Sequence, residues 1–167
     1  MIHLDHVCRT FTGPRPRNVL DRVSLDVAPG ELVAILGESG VGKSTLLNLI
    51  AGLDRPDAGT LVVAGRDLVA LDDDALTLFR RRHVGFVFQA FHVLPYLSVA
   101  QNVALPLALL EVDSAEADAR VASMLDAVGL GDRAFSMPRE LSGGEMQRTA
   151  IARALVHRPQ VVLADEP

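Results

Sequence analysis

Residues 37–45 read "GESGVGKST" and match the pattern G-x-x-x-x-G-K-[ST] through Gly37, Gly42, Lys43 and Ser44. Glycines in such a loop let backbone N–H groups turn inward and approach phosphate oxygens closely. A helix starting near Lys43 would point its positive end at the same anion. In that arrangement the Lys43 ammonium neutralises the β- and γ-phosphates and the Ser44 hydroxyl ligates Mg²⁺. By itself the pattern indicates a nucleoside triphosphate and no more. A second stretch, "VVLADE" (161–166), supplies what such a loop lacks. Its apolar run predicts a buried strand with Asp165 at the C-terminal end, where open α/β sheets place ligands. Asp165 would hold Mg²⁺ through water, and Glu166 would act as general base on an attacking water, a role worth about 10²–10⁴ in rate. Taken alone, this acidic pair is equally an ordinary polar strand end.

The third stretch, "LSGGEMQR" (141–148), is the most informative. Ser142 and Glu145 have the spacing of a capping box, which predicts a helix starting at Ser142 and ending before Pro159. Gly143 and Gly144 directly after the cap weaken a helix. Their presence makes sense if something must approach the backbone there, and a capped helix start is an anion site. Ser142, Gly143 and Gly144 cannot easily reach an enclosed phosphate loop of their own chain. A helix start from one copy and a loop from another would resolve this.

The elements that must position these residues follow from patterning. Residues 2–8 and 23–28 alternate like half-buried antiparallel strands, with "GPRPRN" (13–18) as a loop between them. "ELVAIL" (31–36), bounded by Gly30 and Gly37, reads as a strand buried on both faces. Residues 43–51, with Leu46, Leu47, Leu49 and Ile50, read as a helix closed by Gly52. "GTLVVAG" (59–65) is a strand, 72–82 a helix with acids in its first turn, and "VGFVFQ" (84–89) a buried strand. From about 92 to 140 the pattern is helical. Asp113 with Glu116 resembles a capping box, and Val121, Met124, Leu125 and Val128 share one helical face. The prediction is a single α/β domain over 1–167 with a β-rich front end and a helical subdomain at about 92–140.

Composition narrows the classes. The 167 residues suffice for one domain, 49% are apolar, and tryptophan is absent, so Leu, Val, Ile and Ala must build the core. A net charge of −5 disfavours nucleic acid as a partner. Arg80, Arg81, Arg82 and His83 form the one basic cluster, read as a solvated face before a strand. Cys8 is the only cysteine, which excludes an internal disulfide and fits a reducing cytosol. The N-terminus lacks the apolar stretch of a signal peptide. Residues 103–112 are too short to span a bilayer and contain Pro106. The expectation is a soluble chain whose membrane role, if any, comes through a partner. His3, His6, His83, His92 and His157 show no metal-ligand spacing and read as surface or core residues.

"LSGGEMQR" between the glycine loop and "VVLADE" resembles the signature of ABC-type ATPases, and the resemblance covers the whole chain. It implies an α/β fold: a P-loop NTPase (RecA-like) core with an N-terminal antiparallel β subdomain and a helical subdomain. It implies ATP and Mg²⁺, with Gly37, Ser39, Gly40, Gly42, Lys43, Ser44 and Thr45 around the nucleotide and Ser142, Gly143 and Gly144 reaching it from a second copy in a head-to-tail dimer. Phe11 matches the aromatic that stacks on adenine, though simple packing would also explain it. Gln89 matches the glutamine that touches Mg²⁺ and the attacking water and signals to the membrane partner; without the family it is a polar strand end. The stretch 85–107 is similar to the lipoprotein-releasing, macrolide-exporting and cell-division subgroup. It implies an integral-membrane permease partner docking near residues 89–105, and a location on the inner face of the cell membrane.

Three departures qualify the resemblance. Met146 stands where the signature usually has a polar residue, and Phe11 replaces the commoner tyrosine. The family also continues past the acidic pair with a D-loop and a switch histidine, whereas this sequence ends at Pro167. None of the five histidines lies beyond Glu166. The expectation is therefore a fold lacking its last strands and helices, with an unpaired edge at 161–164 and weak or absent turnover for this chain beside a hydrolytic parent. Among the alternatives, a repair-type ABC ATPase would need a long coiled coil and a translation-type one a second P-loop, and neither is present. A GTPase would need an Asn-Lys-x-Asp motif, also absent. A module that binds nucleotide without hydrolysing it stays open.

Overall fold

The computed structural model describes residues 1–13 and 16–166. Pro14 and Arg15 of the expected 13–18 loop, and the terminal Pro167, lie outside the described residues. The chain divides into two compact units, Met1–Arg80 and the residues from Arg81 onward.

In the first unit, β1 (Ile2–Phe11) pairs antiparallel with β2 (Arg17–Val27) on one side and β3 (Ala58–Val63) on the other, and β4 (Arg66–Asp67) adds to β3. The alternation expected for 2–8 and 23–28 is the inward face of these strands. Leu4, Val7, Leu20, Leu61 and Val63 are buried, while Asp5, His6 and Asp21 face solvent. Both first strands run further than the sequence pattern indicated, so that Arg17 lies in β2 opposite Phe11. Helix α1 (Lys43–Ile50) buries Leu46, Leu49 and Ile50, and Gly52 beyond its end has φ 67°, as its capping role requires. Helix α2 (Asp73–His83) begins with Asp73 and Asp74 in its first turn and buries Leu76 and Phe79.

One element departs from expectation. Residues 31–36 form no strand, and Leu32 and Leu36 are 96% and 90% exposed. Hydropathy shows which side chains a strand could bury; the strand itself exists only where a neighbour supplies ladder hydrogen bonds, and none of the described strands pairs with this run. The basic cluster is also only partly a solvated face. Arg81 and Arg82 are exposed, but half-buried Arg80 donates to the Gly52 carbonyl at 2.6 Å and to Thr77 Oγ1 at 2.8 Å.

The second unit is built on a parallel pair, β5 (Val84–Val87) and β6 (Val161–Ala164), in register from Val84–Val161 to Val87–Ala164. Helices α3 (Val99–Leu109), α4 (Ser114–Ala127) and α5 (Gly143–Leu155) pack around Val99, Val103, Leu107, Val121, Leu125, Leu130 and Ala152. Met124 and Val128 pack against this cluster beside Val121 and Leu125, as their shared face predicts. Asp113 caps α4 through the amides of Ala115 and Glu116, yet the capping box is not closed. The Glu116 carboxylate pairs instead with Arg120 one turn on. Strand β6 is buried on one face only: Val161 and Leu163 are inside, whereas Val162 is 51% exposed. Its four apolar residues in a row predicted a buried strand, but Val162 and Ala164 remain exposed.

Helix α5 lies directly on β5 at Gly85, where a Cβ would stand 2.1 Å from the Ala154 carbonyl oxygen. We predict that Gly85→Ala forces these elements apart and lowers stability by about 1–3 kcal/mol in urea unfolding. His157, just after α5, donates from Nε2 to the Val84 carbonyl at 3.2 Å, while its buried Nδ1 has no partner among the described residues. Burial holds its pKa below the ordinary imidazole value, partly offset by that hydrogen bond. Above pH of about 6.5 the ring is neutral in both states and costs nothing. Below it the unfolded chain takes up the proton first, so stability falls with pH until the folded pKa is passed. The urea midpoint is expected to drop between pH 7.5 and 5.5, and to drop less in His157→Gln.

Candidate functional site

The phosphate-loop residues lie together at the start of α1. Gly40 and Gly42 have φ 78° and 117°, a region only glycine enters freely. A Cβ on Gly42 would also stand 2.8 Å from a Val19 methyl of β2. Gly42 caps α1 without any side-chain hydrogen bond, so the first amides of the helix have no side-chain acceptor. Lys43 Nζ donates to the Gly37 and Glu38 carbonyls, each at 2.9 Å, and curls the loop around its ammonium group. Ser39 and Ser44 are exposed and Thr45 half-buried. Glycine backbone, an uncapped helix start, a lysine and a hydroxyl form a donor set that suits a triphosphate and its Mg²⁺. From β2, Arg17 Nη2 donates to the Gly40 carbonyl at 2.7 Å. Arg17 stands opposite Phe11 in the β1–β2 ladder, so the residue paired with the candidate base-stacking ring also braces the loop.

In the second unit the structure brings Gln89 and Glu166 together: Gln89 Nε2 donates to Glu166 Oε2 at 2.7 Å across 77 residues of sequence. The parallel register does this. Asp165 N donates to Val87 O at 3.0 Å, which carries the ladder one step past β6 and aligns the ends of both strands. Asp165 is half-buried and Glu166 exposed. The loop after Gln89 is held from two sides. Phe91 and His92 both have left-handed backbone, φ 57° and 47°, and Arg153 of α5 donates to both of their carbonyls at 2.8 Å. Fully buried Asn102 donates to the carbonyls of Leu94, Leu97 and Ser98 and accepts from Leu94 N.

The signature stretch starts α5 as its spacing predicts. Ser142 Oγ accepts from Glu145 N, and Glu145 Oε2 accepts from Ser142 N at 2.8 Å. Donation to the Glu145 carboxylate from the Ser142 amide and from its hydroxyl, the latter at 2.7 Å, aided by Arg133 and Arg148, holds that carboxyl below its usual pKa. Ser142, Gly143 and Gly144 are exposed. A Cβ on Gly143 would meet nothing within 4 Å, so the chain's own packing does not demand glycine there. Met146, the departure in the signature, packs partly buried against the helical core.

Comparison with known proteins identifies the family. A sequence model described as ABC transporter matches residues 20–167. The chain belongs to the ABC transporter family. It is 48% identical over 168 aligned positions to the macrolide export ATP-binding/permease protein MacB 1 of Yersinia pestis, covering all of this chain and 26% of that protein. It is 52% identical over 155 residues to the lipoprotein-releasing system ATP-binding protein LolD of Chromohalobacter salexigens, covering 93% of this chain and 65% of that one. The chain thus spans about a quarter of the first relative and just under two thirds of the second. Among solved structures, the ATP-binding cassette MJ0796, a dimer in a post-hydrolysis state with ADP and Pi, superposes with TM-score 0.92 at 40% identity, over 99% of this chain and 73% of that one. The α/β fold of ABC cassettes, expected from the signature, is the fold observed.

Sequence reading missed Arg9, Arg17, Asn102 and Arg153. Each makes contacts with partners its motif does not contain, and a polar residue inside an apolar helical face, as Asn102 is, was the one available signal. Arg153→Met is expected to speed hydrogen exchange at the amides of residues 90–94 while leaving those of α4 unchanged.

Proposed function

We propose that this chain is the ATP-binding and ATP-hydrolysing part of an ABC-type membrane transport or membrane-remodelling complex. The observation that carries this reading is the phosphate cradle at 37–45: two left-handed glycines, a helix start without a side-chain cap, and Lys43 centred on the loop. Family membership and the named functions of the relatives support it.

In the first unit, the loop amides from Gly37 to Gly42, with Ser39, Lys43 and Thr45, bind the phosphates. The Ser44 hydroxyl is a Mg²⁺ ligand, and Phe11 stacks on the adenine. In the second unit, Asp165 holds Mg²⁺ through water. Mg²⁺, when bound, neutralises charge on the phosphate oxygens. Glu166 accepts the proton of the attacking water, and the Gln89 amide, already bonded to that carboxylate, orients it and also meets the ion. Ser142, Gly143 and Gly144 serve the nucleotide of a second copy; exposed glycines that this chain's packing does not require support that role. The two units act as one ATP-binding domain, with residues 92–140 as its inserted helical part.

The permease partner docks near residues 89–105, which would place the chain at the inner face of the cell membrane. Among the described residues no helix is long and apolar enough to cross a membrane. Leu94 and Tyr96 stand exposed in that stretch, the latter 90% so.

Mg·ATP is expected to raise the melting temperature of the chain, because a ligand bound only by the native state stabilises it, and Lys43→Ala is expected to abolish the shift. Glu166→Gln should keep the shift and lower turnover by about 10²–10⁴.

A further inference from the structure

Arg9 precedes Phe11 by two residues in β1 and is more tightly held than any motif residue of the first unit. Its Nε and Nη2 donate to the two carboxylate oxygens of Asp54 at 3.0 and 2.8 Å, and its Nη1 donates to Asp57 Oδ1 at 2.8 Å. The other Asp57 oxygen accepts from Thr10 N at 2.6 Å, so one carboxylate fixes both Arg9 and the backbone just before Phe11. Those two hydrogen bonds lower the Asp57 pKa, which keeps the clamp ionised. With three of its five N–H groups donated to carboxylates, one from each nitrogen, Arg9 presents a flat face. That face lies over the Phe11 ring, with Cζ 5.2 Å from the ring centroid, inside the range of a cation–π contact. Phe11 has no hydroxyl through which its ring could be fixed by a hydrogen bond, yet it is 46% exposed. Two carboxylates already neutralise Arg9, which makes it a poor phosphate ligand.

We propose that Arg9 is a positioning residue for base recognition: clamped by Asp54 and Asp57, its guanidinium holds one face of the Phe11 ring so that the ring's exposed surface is set to stack on the base of ATP. This rests on the reading of Phe11 as the base-stacking residue. Removing Arg9 frees the ring to rotate and removes the cation that polarises it. The affinity for the base falls and the affinity for the triphosphate does not.

The test compares dissociation constants of Mg·ATP and Mg·tripolyphosphate for the full chain and its Phe11→Ala, Arg9→Met, Arg9→Lys and Arg9→Met/Phe11→Ala variants. Phe11→Ala is expected to weaken ATP about tenfold and leave tripolyphosphate unchanged. Arg9→Met is expected to weaken ATP about threefold, again with tripolyphosphate unchanged, and to add nothing once Phe11 is gone. Arg9→Lys keeps a cation for the aspartates but lacks the planar fork, so it should show the same selective loss; it decides the matter if Arg9→Met does not fold. Equal losses for both ligands, an undiminished Arg9 effect in the Phe11→Ala background, or unchanged ATP affinity in Arg9→Lys would overturn the proposal. If Phe11→Ala itself leaves ATP affinity unchanged, the stacking reading fails first and the role of Arg9 falls with it, a pattern distinct from failure of Arg9 alone.

Discussion

At Gly42 the backbone enters α1 with φ 117° while β2 presses on the same atom from the side, leaving no room for a Cβ beside Val19. The phosphate loop depends on this contact. The left-handed turn lets the loop amides face inward, and the pressure from β2 sets where the first turn of α1 begins. Lys43 then curls back onto the Gly37 and Glu38 carbonyls. A neutral loop can hold a polyanion only if several donors converge on one point without being spent elsewhere, and the missing side-chain cap on α1 keeps them available. The same β-sheet bears Arg17, which braces Gly40, and the Arg9–Phe11 stack. The N-terminal strands thus brace the glycine loop and hold the Phe11 ring as well as supporting α1.

The second unit uses a different device. Gln89 and Glu166 follow the ends of two parallel strands, and the register of those strands places one against the other. The loop just after Gln89 is irregular, with left-handed backbone at Phe91 and His92, and it is tied down by Arg153 and Asn102. Arg153 is half-buried, and burial lowers the pKa of its guanidinium, a desolvation cost offset by two carbonyl acceptors. Asn102 makes all four of its side-chain hydrogen bonds among the described residues to the segment 94–98. Because Arg153 belongs to the helix that begins with Ser142, the signature and the loop after Gln89 are mechanically joined through α5.

Local chemistry was legible in the sequence. The capping box at Ser142 and Glu145, the Gly52 cap, the acidic first turn of α2 and the glycine loop all depend on residues within one or two turns of each other, and each formed as its spacing required. What depended on a distant partner was not legible. The run 31–36 has the hydropathy of a buried strand but no partner among the described strands. β6 reads as a buried strand in sequence, yet every second residue of it is exposed. Glu116 could close a capping box and pairs with Arg120 instead.

The sequence by itself determined the type of chemistry, because phosphate binding and helix capping each require particular residue types at short fixed spacings. It also placed the chain among ABC ATPases through the order of three such motifs. Only the tertiary structure decided which side chains orient them: Arg9 reaches Asp54 across 45 residues, Arg153 reaches Phe91 across 62, and Gln89 reaches Glu166 across 77. Strand register and helix packing set those pairings, and both are properties of the folded chain that no local pattern encodes.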